Sequence, residues 1–175
     1  MVFPRSLFER PMPVQLSAGY RLRQWFGDDY STYFALLGAA GMPPPAMSYW
    51  AERVLANGFF VVEVESSGAL AATCLAAHRP AARHPRAGAL GWLAADPSHS
   101  GHKLGRSVSA AVTTRLIAAG YERIYLETHD FRLPAIKVYL GLGWEPLLYA
   151  PDMEERWRVV CMSLGVPFTP ERWPR

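Results

Sequence analysis

Gly91-Trp92-Leu93-Ala94-Ala95, followed past Asp96-Pro97-Ser98-His99 by Ser100-Gly101-His102-Lys103-Leu104-Gly105, is the stretch from which the fold can be read. Its first part ends an apolar, strand-like run that begins at Ala89. Its second part opens a helix-like run. There Leu104, Val108, Ala111, Val112, Leu116 and Ala119 recur at three- and four-residue spacing and draw one apolar stripe. Gly120 then ends the helix, as a glycine just past the last turn does. A strand leading into a short glycine-bearing loop and then a helix is a trap for phosphate. Glycines let the backbone come close, and the first N–H groups of the helix lack intrahelical acceptors and point at an anion. Lys103 and Arg106 add positive charge at the same mouth.

A second strand, Arg123 to Thr128, and the polar turn His129-Asp130-Phe131-Arg132 come next. A helix begins at Leu133-Pro134, with proline suited to the first turn. Ala135, Val138, Tyr139 and Leu142 share one of its faces, and Gly143 closes it before Trp144. Strand, Gly101-x-x-x-Gly105 loop, helix, strand, then Ala135-x-x-x-Tyr139-x-x-x-Gly143-Trp144 resembles the GNAT superfamily of acyl-CoA-dependent N-acetyltransferases. The segment from Thr128 to Gly143 is the most specific part of the match, and the layout agrees from about Tyr20 to Leu164.

The resemblance implies an α/β (α+β) fold. Its single mixed, mostly antiparallel twisted sheet has six to seven strands, with about four helices. It implies acetyl-CoA as cosubstrate, held by Leu93, Ala94 and Ala95 at the strand end and by Ser100, Gly101, His102, Lys103, Leu104, Gly105 and Arg106 in the loop. Two positions depart from the family pattern. Ser100 stands where Arg or Gln usually begins the loop, and Lys103 stands where a middle glycine is usual. If the backbone at Lys103 has positive φ, the side chain costs about 1–2 kcal/mol. The same lysine can serve the phosphates as a point charge.

The implied reaction is direct attack of a primary amine, small-molecule or peptide, on the acetyl thioester. The amine must lose a proton, the acyl oxygen needs a donor, and the leaving thiolate needs a proton. The resemblance gives the oxyanion donor to a backbone N–H late in the strand ending at Ala94-Ala95, and the last proton to Tyr139. For the base, Glu127, His129 and Asp130 are candidates at the strand end, Glu63 or Glu65 on an earlier hairpin, and a water chain is the alternative. Adjacent strand residues face opposite ways, so only part of this set can reach one site. His129 has the most suitable ordinary pKa. A GNAT-fold module that binds CoA weakly, or not at all, and works through a partner without catalysis is the alternative reading.

Composition narrows the classes. With 175 residues, half of them apolar and 19% charged, the chain is long enough for one domain with its own core. A net charge of +3 and an isoelectric point near 9.0 suit an anionic cosubstrate as well as a nucleic acid. The Arg-rich loop from Arg79 to Gly88 has no aromatic between its charges, so nucleic acid is disfavoured. Ser100 to Ser107 matches neither mononucleotide nor dinucleotide phosphate fingerprints. Cys74 and Cys161 lie in apolar runs and read as buried free thiols of a cytoplasmic protein. No Cys/His spacing predicts a metal, His99 and His102 lack a third ligand, and no run is long enough for a membrane span.

The remaining elements complete the expected order. Residues 1–16 carry prolines without periodicity and read as an irregular arm, residues 17–166 as the acetyltransferase domain, and residues 167–175 as a tail. Tyr20 to Trp25 alternates as a strand. Asp28 caps a helix through Tyr30, Tyr33, Phe34 and Leu37, and Ser48 caps a second through Trp50, Val54 and Leu55, stopping at Asn57-Gly58. In the family this helical pair overlies the acceptor, so Tyr30, Tyr33, Tyr49 and Trp50 are pocket candidates against ordinary core packing. Phe59 to Glu65 and Ala69 to His78 form a hairpin around Ser66-Ser67-Gly68. Trp144 to Tyr149 and Arg156 to Leu164 read as two closing strands. A homodimer is left open.

Overall fold

The computed structural model describes residues 1–10, 12–26, 30–44 and 52–175. Strands β1 (Val2–Phe3), β2 (Tyr20–Gln24), β3 (Val54–Val64), β4 (Leu70–His78), β5 (Ala87–Ala95) and β6 (Arg123–Tyr125) form one sheet. Its order is β1-β6-β5-β4-β3-β2, antiparallel throughout except for the parallel β5–β6 pair. Four helices accompany it among the described residues: α1 (Ser31–Ala39), α2 (Leu104–Ala118), α3 (Leu133–Gly141) and α4 (Met153–Leu164).

The Leu70–Ala77 run of β4 is buried along its whole length, because helices cover the sheet on both faces. Alternation, offset by the register shifts in the β3–β4 and β4–β5 pairings, sorts the strand residues between the two sides. Val61, Leu70 and Ala94 pack with Tyr33, Leu36 and Leu37 of α1. Val62, Cys74 and Leu90 pack with Val108, Val112 and Leu116 of α2. The predicted α2 stripe is buried from Leu104 to Leu116, whereas Ala119 lies beyond the helix and is exposed. Gly88 is where α2 comes closest: a Cβ there would stand 2.6 Å from the Leu116 side chain.

Several expectations need correction. The arm is not irregular at its start. Val2 and Phe3 pair with Tyr125 and Ile124, and Met1 exchanges hydrogen bonds with Leu126 in both directions at 2.8 and 2.9 Å. The expected caps Asp28 and Ser48, together with Tyr49 and Trp50, lie outside the described residues. Val54 and Leu55, expected on a helix, belong to β3, and Asn57-Gly58 marks an irregularity inside that strand. Asn57 has φ 57°, and the β3–β4 register breaks between Val54 and Phe59.

The segment from Trp144 to Tyr149 makes one bridge, Val2 to Glu145, and no strand, since Pro146 has no N–H to continue the ladder. Arg156 to Leu164 is helical. Met153, Trp157, Val160 and Cys161 form its buried stripe, Glu154 and Glu155 suit its first turn, and Gly165 ends it at φ 64°. The tail is docked too: Phe168 and Trp173 pack on Trp157, and Pro174 accepts from Leu148 N–H at 2.9 Å. No helix among the described residues is long and apolar enough to cross a membrane.

Candidate active site

The site arises where two neighbouring strands part. β5 and β6 pair only from Ala87/Arg123 to Ala89/Tyr125. Beyond Ala89, β5 continues on the β4 side alone, with a register shift opposite Thr73–Leu75. Trp92 sits in that shift at φ 54°, a bulge that increases local twist and turns the end of β5 away from β6. The gap opens into a cleft of about 1040 Å³. Leu93, Ala94 and Ala95 line one wall, Glu127, Thr128 and His129 the other, and Ala135 and Val138 of α3 lie beneath.

One end of the cleft is the loop before α2. Asp96 begins it, accepting from Ser98 N–H at 2.8 Å and from its hydroxyl at 2.7 Å. Those two bonds hold the Asp96 carboxyl below the usual carboxylate range, so it stays ionised and committed to the turn. Gly101 at φ 86° and Lys103 at φ 57° then alternate with right-handed or extended neighbours. This leaves the N–H groups of Gly101, His102, Lys103, Leu104 and Gly105 with no acceptor among the described residues. A concave row of unbonded N–H groups at a helix start is an anion seat. The strain expected for a lysine at this place is present: Lys103 caps α2 in the left-handed region.

Most of the residues read from the sequence meet here. Leu93 to Ala95, Ser100, Gly101, Lys103, Leu104 and Gly105 all line the cleft. His102 and Arg106 are not in the lining, although the His102 N–H belongs to the unbonded row of the loop. The His102 ring lies 4.9 Å from that of Tyr20, whose hydroxyl is 2.9 Å from His99 Nδ1. Arg106 donates to the Gly141 carbonyl at 2.7 Å and so ties α2 to the end of α3.

At the other end Glu127 faces the cleft and pairs with Arg79 at 2.8 Å. Arg79 is firmly placed: its N–H donates to Ala87 and its carbonyl accepts from the buried Tyr125 hydroxyl at 2.9 Å. His129 stacks on Phe131, the rings 5.3 Å apart and 6° from parallel. Asp130 is taken by Arg156 in two hydrogen bonds. Glu63 is taken by Arg23 and Arg21, whose hydrogen bonds hold its carboxyl below the usual range. Glu65 is exposed on the hairpin, and neither hairpin carboxylate lines the cleft. Glu127 and His129 are thus the base candidates that the fold brings to the cleft.

Tyr139 lies behind this wall, 5% exposed, with its ring 6.2 Å from that of Trp144. No described residue bonds to its hydroxyl. Burial raises its pKa far above that of a free phenol, the Cys74 thiol raises it further, and Arg132 draws it back. The phenol is therefore held protonated. Tyr33 is buried in the α1 core and Tyr30 stacks near Phe34, so both read as packing. Arg79, Trp92, Met42 and Arg132 line the cleft and were not singled out in the sequence. Trp92 and Arg132 adjoin expected site residues in the chain, whereas Met42 and Arg79 join the site only through the fold.

A family model of acetyltransferases matches residues 19–144. Solved structures agree in fold. A Trypanosoma brucei acetyltransferase superposes with a TM-score of 0.56 at 22% identity, over 73% of this chain and 93% of that one. The ribosomal-protein-S18-alanine N-acetyltransferase of Escherichia coli gives 0.55 at 21% identity, over 75% and 84%. The NatC complex bound to Gag peptide and CoA gives 0.61 at 15% identity, over 78% and 93%. A sequence search of curated proteins finds no match. The family match spans most of the chain and includes both the anion loop and the α3 segment, and the protein belongs to the acetyltransferase (GNAT) family.

Proposed function

We propose that this protein is an N-acetyltransferase that moves the acetyl group of acetyl-CoA to a primary amine in a ternary complex. One observation carries the reading: a single cleft joins an unbonded N–H row at the start of α2 to the Glu127 carboxylate and the free edge of β5. The N–H groups of Gly101 to Gly105 fit a diphosphate, and Lys103 adds a charge beside them. The cosubstrate supplies an activated acyl thioester. Its acyl carbon is then presented to the β5 edge.

Glu127, with His129 beside it on the same wall, takes the proton of the acceptor amine. A backbone N–H on the free edge of β5, at Leu93, holds the negative charge that develops on the acyl oxygen. Leu93 is turned to that edge, since its carbonyl accepts from Arg132 at 3.3 Å. Tyr139 hydrogen-bonds to the leaving sulfur and shares its proton with it. Its neutral, unbonded phenol supports this, and so does its helix, whose Ala135 and Val138 line the cleft. Two buried free thiols fit a reducing cytoplasm.

The test is free-thiol release from acetyl-CoA against a panel of amines and peptide N-termini. Glu127→Gln should bind CoA like the parent and turn over about 10²–10⁴-fold more slowly. Saturable CoA binding without turnover on any amine would leave the non-catalytic module in its place. No binding at millimolar CoA would end the enzyme reading.

A further inference from the structure

We propose that Arg132 is a further catalytic residue, whose guanidinium holds the departing CoA sulfur as the thiolate. This rests on the acyl-transfer reading above. Arg132 precedes α3, lines the cleft and is half-buried. Its Nη2 donates to the Leu93 carbonyl at 3.3 Å and meets the Met42 sulfur at 3.1 Å. No carboxylate among the described residues pairs with it, although Arg79 and Arg156, at the same end of the fold, each have one. A cation drawn partly out of water without a counter-ion is costly, and that cost falls when an anion arrives.

The anion that chemistry delivers at this point is sulfur. The acyl carbon sits against the free edge of β5 at Leu93, and the atom bonded to that carbon, on its leaving side, is the thioester sulfur. A guanidinium tethered to the Leu93 carbonyl stands beside it. Arg132 also acts on the Tyr139 hydroxyl, opposing the effect of burial and of Cys74. One charge thus addresses both the sulfur and the hydroxyl that bonds to it. As the amine attacks, the C–S bond breaks with its electron pair passing to sulfur. Arg132 balances the thiolate while the Tyr139 O–H hydrogen-bonds to it, and the sulfur takes its proton from water as CoA leaves the guanidinium.

The experiment compares CoA with desulfo-CoA, which lacks only the thiol. Binding of each to the parent, Arg132→Gln and Arg132→Lys is measured by calorimetry from about pH 7 to pH 9.5, with ultraviolet absorbance reporting the thiolate. In the parent, the bound thiol should ionise about 1–3 pH units below a free thiol near 8.5. CoA should then gain about tenfold or more over desulfo-CoA as the pH rises. Arg132→Gln should erase that gain and leave desulfo-CoA affinity unchanged, which also shows that it folds. Arg132→Lys should keep part of the gain.

A CoA to desulfo-CoA ratio in Arg132→Gln that matches the parent at every pH would overturn the inference. Equal weakening of both compounds would also overturn it, and would make Arg132 a group that merely positions the cosubstrate arm. Either result leaves the acyl-transfer reading standing. A parent protein that binds neither compound would overturn that reading first, and this inference with it.

Discussion

Replacing Lys103 by glycine sets stability and binding against each other, because the side chain is strained by its backbone and charged at an anion seat. At φ 57°, ψ 24° a Cβ costs about 1–2 kcal/mol, and glycine removes that cost. Glycine also adds freedom to the unfolded chain, which takes back about 0.5–1 kcal/mol. The net gain is roughly 0–1.5 kcal/mol, or a rise of up to about 5 °C in Tm for a chain of this size. The lost charge works the other way. A unit charge about 4 Å from a phosphate oxygen in a watery setting contributes about 1 kcal/mol, near fivefold in Kd. Thermal unfolding and calorimetric CoA titration, at low and high salt, read the two effects separately. Lys103→Gly should be at least as stable as the parent and bind CoA about fivefold more weakly at low salt, with the difference shrinking as salt rises. Lys103→Ala keeps a Cβ in the strained region, so it should show the same binding loss without any gain in stability. Tighter CoA binding by Lys103→Gly would refute the reasoning: the lysine would then be a strained departure that hinders the loop.

Tyr139→Phe keeps the ring against Trp144 and removes only the hydroxyl; kcat should fall about 10²–10⁴-fold with Tm and the KM for acetyl-CoA nearly unchanged, and near-parental kcat would leave Tyr139 a packing residue. Glu63 has a lowered folded pKa, so its contribution to stability is complete above its unfolded pKa of about 4.3 and lost as the pH falls through the folded value. Melting curves of Glu63→Gln should therefore be lower than the parent's near neutrality and converge with them in acid; curves that stay parallel down to about pH 2 would remove the linkage. Trp157 is 7% exposed beneath Phe168 and Trp173, so Trp157→Ala should cost about 3–5 kcal/mol and roughly 10 °C in Tm. Unchanged melting would mean that the tail does not dock.

The sequence disclosed most where its signals were local. The Leu104 to Leu116 stripe, the Gly101 loop and the Ser66-Ser67-Gly68 hairpin each carry their period or turn residue within a dozen positions, and each forms as expected. The anion-loop end of the cleft was legible for the same reason. Other signals misled. Arg156 to Leu164 reads as a strand when taken alone, but that window omits Met153, the acidic residues after it and Gly165, which complete a helical stripe and its ends. Arg79 and Arg132 were hidden differently. They lie 53 residues apart in the chain, and no local pattern shows that one will meet Glu127 and the other the Leu93 carbonyl. Tyr139 was found from its motif, but its depth of burial was not.

The first three residues explain how the cleft stays open. An open cleft needs β6 to run on past Tyr125 without β5 beside it, and a strand end with one bare edge and no partner on the other would fray. Here the chain start supplies the missing partner. Val2 and Phe3 pair with Tyr125 and Ile124, and Met1 binds Leu126 on both its N–H and its carbonyl. On the far side Val2 exchanges two further bonds with Glu145. Leu126 is thereby fixed with its side chain in the core, and alternation then turns Glu127 outward toward the cleft. The segment from Trp144 onward is left a single bridge for the same reason, since β1 occupies the β6 edge and Pro146 lacks the N–H to extend the pairing. The two-residue strand β1 is too short to declare itself by pattern, yet it orients the carboxylate on which the proposed chemistry depends.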